Sequence, residues 1–225
     1  MFWNKYYTMK KLGIFDFDGT IFNSVDDVVV CFNKALTLYN FPTLTREDYI
    51  GCLGGDIDDI VSLVLKDNNT PENMELIKKT FLDFYEPSKK ELSVPFPDSH
   101  DLLVQLQENG VLLAINSNRF TYSIENFVDK FFSDIDFIAI EGHNAGFPTK
   151  PDSYGVDKII KKAGVGLDEA IYIGDTITDI NTAKNAEIDC LIVKWGYGIQ
   201  KDYENDYPLE VIEDASQIMK YFLTE

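Results

Sequence analysis

Apolar residues fall along this chain in two patterns. Five short runs, residues 12–15, 111–115, 135–140, 170–173 and 190–193, are largely apolar and bounded by turn residues and charges. Runs of this length predict strands buried on both faces, as in a parallel sheet. The second pattern is helical spacing over residues 98–109, 121–132, 153–163, 179–186 and 214–222. Gly110 and Gly164 stand just past two of these segments, where a helix commonly ends in a left-handed residue, and Thr121 is the expected N-cap of its own. Strand and helix in alternation predict an α/β fold, a parallel sheet doubly wound with helices.

One stretch breaks the alternation. Residues 24–90 carry helical periodicity only, over 25–36, 56–65 and 71–85, with Thr70 as N-cap and Pro71 at the first helical position. Residues 92–98, with Pro95 and Pro97, read as a linker back. The expected organisation is a core of residues 10–22 and 93–225 and a helical cap of residues 23–92. The cap begins a few residues beyond the first strand, where it can act as a lid.

Open α/β sheets bind ligands beyond the carboxyl ends of their strands. Asp16 and Asp18 follow the first strand, and Asn116-Ser117-Asn118-Arg119 follows the second. Thr149-Lys150-Pro151-Asp152 closes the third strand–helix segment, and Gly174-Asp175-Thr176-Ile177-Thr178-Asp179 follows the fourth. Several carboxylates at one edge repel unless a cation holds them. Oxygen donors without sulfur select a hard ion, and Mg²⁺ fits best. One carboxylate can then attack a phosphoryl group while another moves the proton. Ser117 can donate to a phosphoryl oxygen, Lys150 can neutralise developing charge, and Gly19 lets backbone amides approach.

Charge sharpens this picture. The 38 acidic residues exceed the 20 basic ones, for a formal net charge of −18. Such a surface repels nucleic acid and anionic membrane, so an anionic substrate needs positive charge within its own site. The three cysteines, Cys31, Cys52 and Cys190, are far apart and read as reduced thiols of a cytoplasmic protein. The first residues lack the apolar stretch of a signal peptide, no run is long enough to span a membrane, and residues 1–8 read as a loose extension.

Asp16-Phe-Asp-Gly-Thr20, Ser117-Asn118, Lys150-Pro151 and Gly174 through Asp179 resemble the four ordered motifs of the haloacid dehalogenase superfamily, and the helical insertion resembles its C1 cap. Residues 174–186 and Trp195-Gly-Tyr-Gly198 look most like its phosphoglycolate phosphatase-like branch. The resemblance runs from about Lys10 to Phe222. It implies a Rossmann-type core and a Mg²⁺-dependent phosphatase acting on small, phosphoglycolate-like phosphomonoesters through an aspartyl phosphate. Asp16 would be nucleophile and metal ligand. Asp18 would be general acid/base, binding metal through its backbone carbonyl. Ser117 would bind the phosphoryl group, and Lys150 would hold it with Asp16. Asp175 would ligate the metal, and Asp179 would ligate it or orient its waters. Dehalogenating members lack a carboxylate at the position of Asp18, which favours phosphoryl chemistry.

Thr20, Asn118 and Arg119, with Gly54 and Arg46 of the insertion, are the candidate substrate contacts. Arg46 has a surface ion pair as its other reading, and the loop Gly51–Gly55 is either a plain helix connection or a reader of the leaving group. Asp179 has helix capping as its other reading. His100 and His143 lack partners at metal spacing and read as surface residues, and Trp195 and Tyr197 as packing. The chain departs from related sequences at Asn23, often Asp; Glu187, often Gly; and Arg119, often Lys. A phosphomutase of the β-phosphoglucomutase type or a receiver-like phospho-acceptor would share much of this site. The expected partner is a small phosphorylated metabolite, and the expected assembly a monomer or homodimer.

Overall fold

A computed structural model describes residues 8–223. Residues 1–7 of the expected extension lie outside the described residues. The chain opens with strand β1 (Leu12–Phe15), then a two-residue strand β2 (Phe22–Asn23). Helices α1 (Val25–Leu38), α2 (Arg46–Ile50), α3 (Ile57–Leu65) and α4 (Pro71–Tyr85) follow. Thr70 caps α4 through the Asn73 N–H with Pro71 next, as expected, and Asp56 caps α3. The return segment holds β3 (Val94–Pro95), which pairs antiparallel with β2, so the expected linker forms half of a small ribbon joining the insertion to the rest.

Then come α5 (Ser99–Glu108), β4 (Leu112–Phe120), α6 (Thr121–Phe131), β5 (Phe137–His143) and α7 (Tyr154–Ala163). The last elements are β6 (Ala170–Gly174), α8 (Ile177–Asn185), β7 (Asp189–Val193), α9 (Gln200–Tyr203), β8 (Glu210–Ile212) and a 3-10 segment over Ala215–Tyr221. Thr121 is the first residue of α6 rather than its cap: Phe120 holds that position, and the threonine hydroxyl accepts the Gly142 N–H instead. The expected helix over 214–222 is the 3-10 segment, capped by Asp214.

The main sheet has six strands in the order β5-β4-β1-β6-β7-β8, every pair parallel. Alternate side chains enter two cores. Phe15, Ile115, Ile173 and Val193 pack with Leu103 of α5, Ile124 of α6 and Ile218. Ile14, Ala114, Tyr172 and Ile192 pack with Val156 and Ile159 of α7 and Ile180 of α8. This is the doubly wound fold. The inserted helices bury a third cluster of their own, built on Phe32, Leu36, Tyr49, Val61, Ile77 and Phe81. Neighbouring β1 and β6 lie at the point where the strand order reverses, which is where an open α/β sheet offers a crevice.

Candidate active site

Asp16 is the residue after β1. Its N–H donates to the Ile173 carbonyl at 2.9 Å, extending the ladder with β6, and its carboxylate accepts the Phe17 N–H at 2.7 Å. Lys150, buried, bridges Asp16 Oδ1 at 2.8 Å and Asp179 Oδ1 at 2.7 Å. The lysine is placed through its backbone: Asn118 Oδ1 accepts the Lys150 N–H at 2.8 Å, and Asn118 Nδ2 donates to the Lys150 carbonyl at 3.2 Å. Asn118 therefore positions the lysine, whatever it does toward substrate. Of the roles considered for Asp179, helix capping is the one its contacts display. Its Oδ2 accepts the Asp175 and Thr176 N–H groups at 3.0 Å each, capping α8, while Oδ1 faces the lysine.

Asp16, Asp175 and Asp179 each offer a carboxylate oxygen within 4.8 Å of the other two, and all three are buried. When all three are ionised, three carboxylates (−3) against one ammonium (+1) leave −2, which a divalent cation balances. Burial pushes Asp16 up to about 7, with Asp179 and Asp18 adding to the rise and Lys150 opposing it. Burial likewise drives Asp175 well above the usual carboxylate range, helped by Asp179 and Asp16. Asp179 is also penalised by burial, but Lys150 and its N–H partners hold it below that range. Asp175 Oδ1 is buried without a hydrogen-bond partner among the described residues. An unpaired oxygen on a buried carboxylate is costly, and a metal ion is the partner this donor set fits. Gly19, at φ +88°, makes room: a Cβ there would stand 2.0 Å from Asp175 Oδ2.

Asp175 Oδ2 accepts the Tyr197 N–H at 2.6 Å. The Tyr197 hydroxyl accepts the Ser24 and Val25 N–H groups, at 2.9 and 3.2 Å, and donates to Asn23 Oδ1 at 3.1 Å. It thus caps α1 in place of Ser24, whose own hydroxyl is spent on Asp18 Oδ1 at 2.5 Å. Tyr197 packs as expected, but it also ties the Asp175 carboxylate to the first turn of the helical insertion. Sequence reading missed this because the partners are more than 170 positions apart.

Asp18 is not one of these three carboxylates. Arg119 grips it with a fork, Nε to Oδ2 at 2.7 Å and Nη2 to Oδ1 at 2.8 Å. Arg119 Nη1 also donates to the Tyr85 hydroxyl of α4 at 2.9 Å and to Ser123 Oγ at 3.1 Å. The side chain expected to take a substrate anion is instead paired with Asp18 and bound to the insertion. Asp18, Arg119, Asp16 and Ser117 line one cavity of about 180 Å³, whose far wall comes from α1, α3, α4 and the loop at Gly54. Gly54, at φ +110°, lies against the core: a Cβ there would be 2.9 Å from Thr176 Oγ1. The loop reading as a site element is therefore the one the geometry favours.

Two expected contacts stand apart. Arg46 pairs with Asp26 at 2.9 Å, both side chains about two-fifths exposed, and does not line the cavity, so its surface reading replaces the substrate one. Thr20 is buried and off the cavity wall, with its carbonyl on the Trp195 indole N–H at 2.9 Å. β4 continues through Ser117 and Arg119, with a register irregularity between Asn116 and Phe120, rather than ending at residue 115. β5 likewise runs on to His143, which lines the cavity instead of the outer surface, its Nδ1 buried and unpartnered among the described residues. The three cysteines are free and buried, and no described helix is long and apolar enough to cross a membrane.

A family model described as haloacid dehalogenase-like hydrolase matches residues 13–193. A phosphoglycolate phosphatase of Vibrio cholerae is 26% identical over 225 residues, covering 95% of this chain and 97% of its own length. One from Pseudomonas syringae pv. tomato is 26% identical over 215 residues, covering 94% and 79%. A solved protein from Lactobacillus delbrueckii subsp. bulgaricus, provisionally named phosphoglycolate phosphatase, superposes with a TM-score of 0.83 at 27% identity, covering 97% and 100%. The match of the family model over most of the chain agrees with the sheet order and with the carboxylates and lysine gathered at its reversal point. The chain belongs to the haloacid dehalogenase-like hydrolases, in the phosphoglycolate phosphatase-like branch of their phosphatases.

Proposed function

We propose that this protein is a Mg²⁺-dependent phosphatase of small phosphorylated metabolites, working through an aspartyl phosphate on Asp16. The observation that carries the reading is Asp16 itself, a buried carboxylate paired with Lys150 at 2.8 Å and opening onto the cavity. Asp16, Asp175 and Asp179, with the Asp18 backbone carbonyl, would hold the metal. When bound, Mg²⁺ supplies charge neutralisation and orients the phosphoryl oxygens.

The remaining work falls to the chain. Asp16 attacks phosphorus, the bond to the leaving oxygen breaks, and Asp18 gives that oxygen its proton. Water then attacks the acyl phosphate and gives its proton to Asp18, which frees inorganic phosphate and restores Asp16. Ser117 donates to the phosphoryl group, and Lys150 stabilises its growing charge. Residues 23–92 serve as a cap domain over the core of residues 10–22 and 93–225, excluding water when closed.

The test is phosphate release from phosphorylated metabolites, phosphoglycolate first because the relatives are named for it, with Mg²⁺ and with EDTA. Release should require Mg²⁺ and vanish in Asp16→Asn. Full activity of that variant refutes the nucleophile. Lys150→Ala should lower kcat/KM by about a hundredfold or more. Isomerised sugar phosphate in place of free phosphate would select the mutase.

A further inference from the structure

The cavity has two unlike halves. At the catalytic end stand Asp16, Asp18 and Ser117. The cap half is walled by Val28, Phe32, Leu53, Ile60, Phe81 and Leu82. Phe32 and Phe81 stack with ring centroids 3.8 Å apart, and Phe81 stacks on Tyr85 at 5.1 Å, a nearly fully buried aromatic stack that backs this wall. The lysine and arginine side chains on this wall are Lys78 and Arg119, and both are already neutralised. Lys78 Nζ is held by the two oxygens of Asp58 at 2.7 and 2.9 Å. Arg119 is held by the two oxygens of Asp18 and by Tyr85 and Ser123. Asp56 and Glu86 add further acid to the same half.

Resting on the phosphatase reading above, we infer that the leaving alcohol of the substrate is uncharged and carries an apolar body, an alkyl or aryl group of several carbons, rather than a carboxylate. A leaving group with its own carboxylate would meet net negative charge and no uncommitted lysine or arginine; His143 Nδ1 is a single unpartnered nitrogen against the several water contacts a carboxylate gives up. An apolar group gains from burial in proportion to the surface it hides. The cavity of about 180 Å³ includes the phosphoryl position and is partly open, so its apolar half receives a substituent of several carbons without enclosing it. The relatives named for phosphoglycolate are 26% identical to this chain, so about three residues in four differ from theirs.

Benzyl phosphate, ethyl phosphate and 2-phosphoglycolate, all with unactivated leaving alcohols, test the inference on the full chain with Mg²⁺. The kcat/KM for benzyl phosphate should exceed those of the other two by about tenfold or more, the scale on which an apolar pocket tells substituents apart. Phosphoglycolate turned over as well as benzyl phosphate, or better, overturns the inference and leaves the phosphatase reading standing. Release unaffected by Asp16→Asn strikes the phosphatase reading instead. Calorimetric binding of benzylphosphonate and phosphonoacetate to the wild-type protein decides the leaving-group class even without turnover. The first should bind about tenfold tighter, and equal or reversed order overturns the inference. In Ile60→Lys, which sets a cation into the apolar wall, the preference should move toward 2-phosphoglycolate.

Discussion

Arg119 commits four of its five N–H groups: two to Asp18, one to Tyr85 and one to Ser123. Without it the Asp18 carboxylate, three-quarters buried, keeps only Ser24 as a side-chain donor. Arg119→Ala should therefore destabilise the fold by about 3 kcal/mol, read from urea unfolding. Arg119→Lys keeps the charge but not the fork, and should cost less while losing the link to Tyr85. A loss equal to that of alanine would show that the fork, not the charge, holds Asp18. The arginine stood out in the sequence because it follows Ser117-Asn118 and the chain has only two. Its partner in α4 was not legible, because Tyr85 comes near through the docking of the insertion.

At the level of elements, α8 ends in a Schellman arrangement, with the Ile188 N–H on the Ala183 carbonyl at 3.1 Å and the Glu187 N–H on Lys184 at 3.2 Å. The residue in the left-handed position is Glu187, at φ +57°. Glycine is the residue such a position favours. Glu187→Gly should raise stability by up to about 1 kcal/mol, visible as a higher Tm with activity unchanged. The loop at Gly54 carries the opposite expectation. Gly54→Ala places a Cβ against Thr176 at a φ of +110°, so the loop must lift. Activity should fall about tenfold or more while the unfolding midpoint of the core holds, since closure and not folding is disturbed. A matching drop in stability would refute that separation. The longer helices and central strands were legible from their periods, whereas β2, β3 and β8 hold only two or three residues each, too few to establish a period.

For the whole molecule, the three buried carboxylates couple stability to pH and metal. In protein stripped with EDTA, folded Asp16 keeps its proton to about 7, while an unfolded aspartate releases it near 4. Between those values the folded state binds more protons, so this group's contribution to stability falls as pH rises. Asp175 acts in the same direction, and Asp179, held low by Lys150, acts oppositely at more acid pH. Mg²⁺ at these residues would bind their ionised forms, so it should raise Tm more at pH 8 than at pH 5.5, with a stabilisation of about 2.7 kcal/mol where it stands at a hundred times its Kd. An equal shift at both pH values would show that protons and metal do not share the site.

By itself the sequence determined the doubly wound sheet, the helical insertion, and the order in which acids, a hydroxyl and a lysine reach one edge. These follow from local period, turn chemistry and residue type, all of which are written along the chain. Only the tertiary structure decided that Arg119 belongs to Asp18, that Tyr197 caps α1 while holding Asp175, that His143 faces the cavity, and that the cap wall is apolar. Each depends on how separately folded pieces dock. Those contacts join residues far apart in the chain, and no local stretch of sequence records them.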